Sequence, residues 1–564
     1  MLHINRYFNF IFCNSVALWL CVLFSSSWAI SATRHSEMAD FTLQNTGLRR
    51  QLGLRSLTLA VVTGTIGSGW LFAPFYCAKS AGPGSLIAWL IGGTIAFAIA
   101  LVYAELGALV SSSGALAQIP LLTHGRMSGF IGGWCVWIAY VSLPTIEVMA
   151  IFQYLASSFP WLTLDGGQGQ ILSTWGMALA MILLVTLAWI NLSGVGILAR
   201  WIDGLTVWKL VVPLLVSVTL MLSEAHWGNL SVALPGAGSL DGGILTAVST
   251  GGVLFSLMGF RTAMDLSGET KNPQRDVPLA MALGLGICLL IYLVLQLAFL
   301  VAVSPEQIAA GWDHLNLTAH GGPLVAIALS GGLIWVANLL LVDAVVSPSA
   351  TAMAYIGVSG RVSWMMGRCG LLPHVFERLN RKAVPWVALC SSLVIGIAML
   401  FGGPSWQRLV SFLSATLVLA LAMGPVSLMA LRHQLPGVER PFRLIWAPVW
   451  CRVAFVFASW ATIWCGRPAV EGASAAILLP VLLYLSVEWG RGRVMELRHG
   501  FWWLAYIVGL LILAEVVAPR SGAPFPIWAQ LSLVGAFALL IYPFAVKSRL
   551  EVPSPDAQLQ FRSG

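Results

Sequence analysis

The sequence predicts an all-α integral membrane protein, and three observations carry that expectation. Hydrophobic residues fill 58% of the 564 positions and charged residues only 9%, about a third of the charge that keeps a soluble chain of this length wet. Apolar runs long enough to cross a bilayer follow one another from Leu54 almost to the C-terminus. The basic residues between those runs fall almost entirely on one side.

Each run is bounded by turn or charged residues. Fourteen spans are expected, at about 54–77, 84–110, 129–158, 171–191, 201–222, 244–268, 277–303, 323–357, 384–402, 408–431, 446–466, 472–489, 501–518 and 526–546. The eighth is long enough to include turns at one membrane face. With residues 38–53 as a cytoplasmic tail, only Lys79, Arg408, Arg467 and Arg520 fall outside among the loop Lys and Arg residues of this frame. Deleting one span would invert every later basic loop, so count and orientation support each other. Both ends of the mature chain, including the tail 547–564, are therefore expected in the cytoplasm, and the basic stretch from Arg361 to Lys382 at the inner leaflet.

Residues 1–37 stand apart. Arg6, the apolar stretch from Phe8 to Phe24 and the small residues ending in Ala32 resemble a secretory leader. Met38 follows directly, so this segment reads as an over-extended start, a cleaved leader or an additional helix.

The net charge of +8 does not point to nucleic acid, because the basic residues are dispersed among short loops. The nine cysteines show no Cys-x-x-Cys spacing and no Cys-His cluster, and the histidines form no ligand set. No metal, cofactor or disulfide framework is expected. A membrane enzyme would need carboxylate, histidine or metal clusters in loops at one face, and the sequence offers none.

Chemistry concentrates where helices ought to break. In the first run, Gly64, Gly67 and Gly69 fall within six residues, each weakening a helix by roughly 1 kcal/mol relative to alanine. In lipid an opened backbone must find other partners, so such a break is tolerated where it lines a cavity. The N–H groups near Ser68 and Gly69 would then face an anion, and carbonyls near Thr65 a cation. Close helix packing through small residues explains the same stretch equally well. The sixth run favours the first alternative, since Gly251, Gly252 and Gly259 surround an apolar stretch that ends in Arg261, well inside the span. Paired discontinuous helices five spans apart mark an inverted-repeat transporter with its site at mid-membrane.

The segments Gly64-Thr65-Ile66-Gly67-Ser68-Gly69-Trp70-Leu71-Phe72-Ala73-Pro74, Tyr103-Ala104-Glu105-Leu106, Gly268-Glu269-Thr270-Lys271-Asn272-Pro273 and Gly370-Leu371-Leu372-Pro373 resemble signatures of the amino acid, polyamine and organocation superfamily of permeases. Residues 101–108, with Glu147 and Asp343, look most like bacterial acidic amino acid proton symporters. The resemblance implies a LeuT-like core of two five-helix inverted repeats, 54–222 and 244–431, followed by four additional helices over 446–546. It implies a secondary transporter of the cytoplasmic inner membrane and not an enzyme, with an amino acid and protons as its partners. An exchanger of amino acids or polyamines, and a sensor that no longer transports, are the alternatives.

Carried over position by position, the resemblance assigns the substrate carboxylate to the backbone N–H groups of Ser68 and Gly69 and to the Ser68 hydroxyl. The substrate ammonium goes to the carbonyls of Thr65, Phe255 and Met258, and the Phe255 ring covers the bound molecule. Arg261 departs from well-known relatives and would favour a substrate with a second carboxylate through a bidentate contact; alternatively it pairs with Asp265 or Glu269. Lys209 in the fifth run either snorkels to the interface or, as the resemblance implies, sits where sodium-coupled relatives hold sodium and carries the coupled proton. Glu147 and Asp343 are the other charges deep in apolar runs, where ionisable groups face a cavity or a partner. Either relays the proton, or Asp343 pairs with Lys209 or Arg261. Glu105 and Glu269 are candidate gating residues, with Arg126, Lys271 or Arg275 as partners.

Overall fold

The computed structural model describes residues 52–110, 114–165, 170–193, 195–223, 225–232, 240–317, 322–401, 404–490, 494–518 and 525–551. The leader-like segment 1–37 and most of the 38–53 tail lie outside the described residues.

Apolar sequence without caps or turns folds as helix, since a chain in hydrocarbon must satisfy its backbone internally. The first run is two helices, α1 (Leu54–Thr65) and α2 (Gly69–Ala81). Then come α3 (Ser85–Leu109), α4 (Ala115–Leu155), α5 (Thr174–Leu192) and α6 (Val195–Ser223). Between α4 and α5 a short antiparallel pair, Thr163–Asp165 with Gln170–Leu172, closes one end. The sixth run breaks into α7 (Leu240–Ser249), α8 (Val253–Leu257), a 3-10 turn at Met258–Arg261 and α9 (Thr262–Asp265). The core continues through α10 (Pro273–Ala302), α11 (Pro323–Ser330), α12 (Ile334–Arg368), α13 (Trp386–Ala398), α14 (Trp406–Leu421) and α15 (Met423–Gln434). Four further helices follow: α16 (Ala447–Trp464), α17 (Arg467–Gly490), α18 (Phe501–Val517) and α19 (Ile527–Lys547).

Helix occurs in all fourteen expected runs, although fewer qualify as spans by length and apolarity, because Gly69–Leu109 counts once while holding both α2 and α3, and α1 and α13 are short. Among the described residues, 11 helices are long and apolar enough to cross a membrane, or 12 if the pair bent by 46° between Gly243–Ser249 and Val253–Asp265 is one span. The 384–402 run supplies only the 13-residue α13. The third run begins earlier than expected, at Ala115, because α4 continues through a kink at Gly125. The eighth run divides at Gly331–Leu333, and α12 carries Arg361 and Arg368 on helix rather than in a loop.

α4 and the α14–α15 pair are buried along their length and form the centre, whereas α19 keeps much of its apolar surface exposed. The two broken spans lie against each other. A Cβ at Gly259 would come within 2.6 Å of the Thr65 Cα, so this crossing requires a residue without a side chain. Gly252 takes a φ of 98° where α7 gives way to α8, a conformation L-residues with a Cβ resist. At their far ends the spans are also tied: the Leu52 N–H donates to the Glu269 carbonyl at 3.0 Å and the Lys271 N–H to the Leu52 carbonyl at 2.8 Å.

Candidate functional site

α1 ends at Thr65, Ile66 turns extended (ψ 95°), and α2 starts after Ser68. Residues 66–68 therefore carry backbone groups with no helical partner. Side chains from four other helices supply the partners. Lys209 on α6, only 1% exposed, donates from Nζ to the carbonyls of Thr63 (3.1 Å) and Ile66 (2.8 Å) and to Thr351 Oγ1 on α12 (2.5 Å). Those three acceptors use all three ammonium protons. The snorkelling alternative for Lys209 is thereby excluded. Tyr292 on α10 donates to the Thr65 carbonyl at 3.1 Å, and Tyr355 on α12 to the Gly64 carbonyl at 3.2 Å.

On the opposite polarity, the Ser68 N–H donates to Glu147 Oε2 of α4 at 2.7 Å. This is the group assigned to a substrate carboxylate, and a carboxylate of the protein holds it. Packing explains the glycine at 67: a Cβ there would come within 2.9 Å of the Glu147 carboxyl carbon. The Ser68 hydroxyl accepts from Trp406 Nε1 at 3.2 Å. A Cβ on Gly69 would lie 3.2 Å from the Phe255 ring and closer still to the Ser256 hydroxyl.

The sixth span contributes Phe255, Ser256, Met258 and Arg261. Arg261 is 2% exposed and donates from Nη1 to its own Met258 carbonyl at 2.6 Å. Its guanidinium lies 4.9 Å from the Tyr140 ring centroid and 5.3 Å from that of Tyr355, against a pair of rings that meet edge-on 5.4 Å apart. Asp265 accepts from Tyr140 OH at 2.6 Å. Of the two alternatives for Arg261, the pairing with Asp265 or Glu269 gives way to a carbonyl and two rings. Four buried polar atoms of this region have no protein partner among the described residues: Glu147 Oε1, Ser256 Oγ, Thr262 Oγ1 and Arg261 Nε. Asp265 Oδ1 is a fifth. Such atoms also occur away from the break, at Ser85, Ser128 and Ser414 for example, and those at the break are the ones a polar guest there would satisfy.

Asp343 stands apart from this constellation. It accepts indole N–H bonds from Trp208 (2.6 Å) and Trp70 (3.1 Å), and not the bond from Lys209 or Arg261 that was one of its alternatives. Glu105 also finds different partners. Arg432 binds it bidentately (3.0 and 2.6 Å), Arg440 Nη1 lies 3.5 Å away, and the Leu444 N–H donates at 2.8 Å. Glu269 meets Arg361 at 3.6 Å. Arg126 instead donates to the Gly370 carbonyl at 2.6 Å. The long-range partners lie 92 to more than 300 positions away in sequence, out of reach of any local reading.

Residues 52–487 match the profile of the family described as amino acid permease. The chain belongs to the amino acid permease family. The permease is 31% identical over 514 residues to the glutamate/serine transporter AimA of Bacillus subtilis (strain 168), covering 89% of this chain and 94% of that protein. It is 30% identical over 507 residues to the aspartate-proton symporter of the same organism, covering 88% and 96%. Among solved structures, a mutant form of the Eremococcus coleocola manganese transporter superposes with a TM-score of 0.51 at 16% identity, over 80% of this chain and 94% of that one; this likeness is one of fold. The permease is accordingly a multi-pass membrane transporter rather than an enzyme.

Sequence reasoning missed the aromatic wall of the site. Trp406 stacks on Phe72 (4.9 Å between centroids) and on Tyr76 (5.6 Å), and meets Phe255 edge-on at 5.9 Å. Through its bond to Ser68, Trp406 ties this stack to the α2 side of the break. Tyr140 and Tyr355 line the α1 side. Each lies in an apolar run where an aromatic residue is ordinary core, and only Pro404 before Trp406 marks a helix start.

Proposed function

We propose that the permease imports an amino acid together with protons by alternating access, with aspartate or glutamate as the preferred substrate. The reading rests on one observation above all. The opened backbone of the first span already holds one carboxylate, Glu147 on the Ser68 N–H, and one ammonium, Lys209 on the Thr63 and Ile66 carbonyls. Those are the two charged groups of an amino acid. The names of the two Bacillus relatives and a buried arginine on the sixth span support the acidic preference.

In this reading the substrate carboxylate reaches Ser68 and Gly69, its ammonium reaches carbonyls of Thr65, Phe255 and Met258, and Phe255 with Trp406 covers it. Lys209 is the coupling group. Its ammonium bridges the broken first span to α12, and loss of its proton would leave two N–H donors for three acceptors and remove the charge, loosening the hold on α1. Glu147 is the second proton carrier, because two ionised carboxylates cannot share the Ser68 N–H. Asp343 is a third candidate, with its indole partners retained. The core is two inverted repeats, 54–222 and 244–431, in a bacterial cytoplasmic membrane with both mature ends inside. Glu105 and Glu269 join elements at the cytoplasmic face.

Uptake of labelled aspartate into proteoliposomes tests this. Accumulation under an acid-outside pH gradient, abolished by a protonophore, is expected without internal substrate. Uptake that requires internal counter-substrate and ignores the gradient would instead establish an exchanger.

A further inference from the structure

Both poles of the site are occupied by the protein itself. The anion-binding N–H of Ser68 is held by Glu147, and the cation-binding carbonyl of Met258 is held by Arg261. An amino acid therefore does not enter a vacant site but exchanges partners. We propose that Arg261 selects acidic substrates by displacement: the substrate ammonium takes the Met258 carbonyl, and the evicted guanidinium must find a new anion, which a side-chain carboxylate supplies. This inference rests on the amino acid reading above and adds the origin of its selectivity.

Three features favour displacement over a fixed contact. Arg261 keeps an unpartnered buried Nε, so the fork has a donor to offer as soon as a carboxylate arrives. The Tyr140 and Tyr355 rings meet edge-on, 5.4 Å apart at 61°, and the guanidinium lies against both, a contact that fixes its position less than an ion pair would. The group is buried, and an evicted buried cation without a partner is strongly unfavourable. A neutral amino acid would free Arg261 and leave it unpaired. Aspartate or glutamate would free it and bind it bidentately.

The titratable groups facing Arg261 are Asp265 of its own span, Tyr140 of α4 and Tyr355 of α12. Asp265 is the rival destination, since its Oδ1 is also unpartnered. Its other oxygen is held by Tyr140.

Equilibrium binding of aspartate, glutamate, serine and alanine to the purified full chain tests the proposal, with Arg261→Met and Arg261→Gln as variants and thermal unfolding as the check on folding. The second variant keeps a polar side chain should the first fail to fold. The expected result is a crossing: acidic ligands weaken by about tenfold, the value of one charge-assisted contact, while serine and alanine tighten. Asp265→Asn should leave the acidic preference in place. A parallel loss for all four ligands in a folded variant, or loss for the acids with neutral ligands unchanged, would overturn displacement. So would an acidic preference that appears only in Asp265→Asn, which would make Asp265 the destination of the freed arginine. A wild-type protein binding none of the four would overturn the amino acid reading together with this inference, whereas normal wild-type binding with parallel variant losses removes the inference alone.

Discussion

Two buried carboxylates of the permease, Glu105 and Glu147, are both fully shielded from solvent, yet their surroundings differ in kind. Glu105, at the end of α3, receives Arg432 through two bonds, Arg440 nearby and the Leu444 N–H. Both of its oxygens are engaged, and the partners fasten α3 to the end of α15 and to the segment leading into α16. Glu147, toward the C-terminal end of α4, has a single bond to Ser68 and an oxygen with no protein partner among the described residues. The first is a finished joint and the second an unfinished site. Desolvation acts on both, but Glu105 is answered by bonded guanidinium groups whereas Glu147 has one backbone bond and the field of Lys209, which leaves an oxygen of Glu147 open to exchange of partners or protons.

Substitutions can break this contrast or sharpen it. The largest effect is expected at the unfinished site itself. Gly69→Leu puts a side chain where Phe255 and Ser256 already crowd the Cβ position; uptake in proteoliposomes should disappear while the amount of protein inserted in the membrane stays normal. Normal uptake would mean that the glycine break serves packing alone.

Lys209→Ala should come next, removing the response of uptake to an inward proton gradient. Lys209→Arg should fail as well, because arginine keeps its proton at any accessible pH. Gradient-driven uptake surviving in both variants would transfer the coupling role to Glu147 or Asp343.

The carboxylates themselves provide the direct comparison. Glu105→Gln leaves two arginines without their anion and is expected to cost about 3–5 kcal/mol, read as a large fall in the thermal unfolding midpoint. Glu147→Gln removes a charge that the protein does not fully satisfy, so its midpoint should hold or rise while proton-driven uptake falls. Equal destabilisation by the two changes would erase the distinction. The smallest effect is expected for Asp343→Asn, which retains an oxygen for one indole and forfeits about 1 kcal/mol for the other.

Much of the permease was legible without its structure. Hydropathy and the alternation of basic loops determined a helical membrane protein with breaks in the first and sixth spans, because burial in lipid and backbone satisfaction act on local stretches of chain. Gly64, Gly67, Ser68 and Gly69 declare the first break, and Gly251, Gly252 and Gly259 the second, since each is a local departure from helix-forming sequence. The depth of Glu147 and Asp343 was legible for the same reason.

Partnership was not legible, because contacts between spans depend on how helices cross and rotate. Lys209 could have faced the interface or the break, and the packing of α6 against α1 and α12 decided it. Arg261 was read as meeting a carboxylate of the substrate or of its own span, and it lies against Tyr140 and Tyr355 with its bond on Met258. Glu105 met Arg432 and Arg440 across more than 300 residues rather than a nearby basic loop. The sequence by itself determined where the backbone opens and which charges are buried, both consequences of local composition in a low-dielectric medium. Only the tertiary structure decided which buried charge is satisfied and which is left wanting, because that depends on the three-dimensional meeting of groups far apart in the chain.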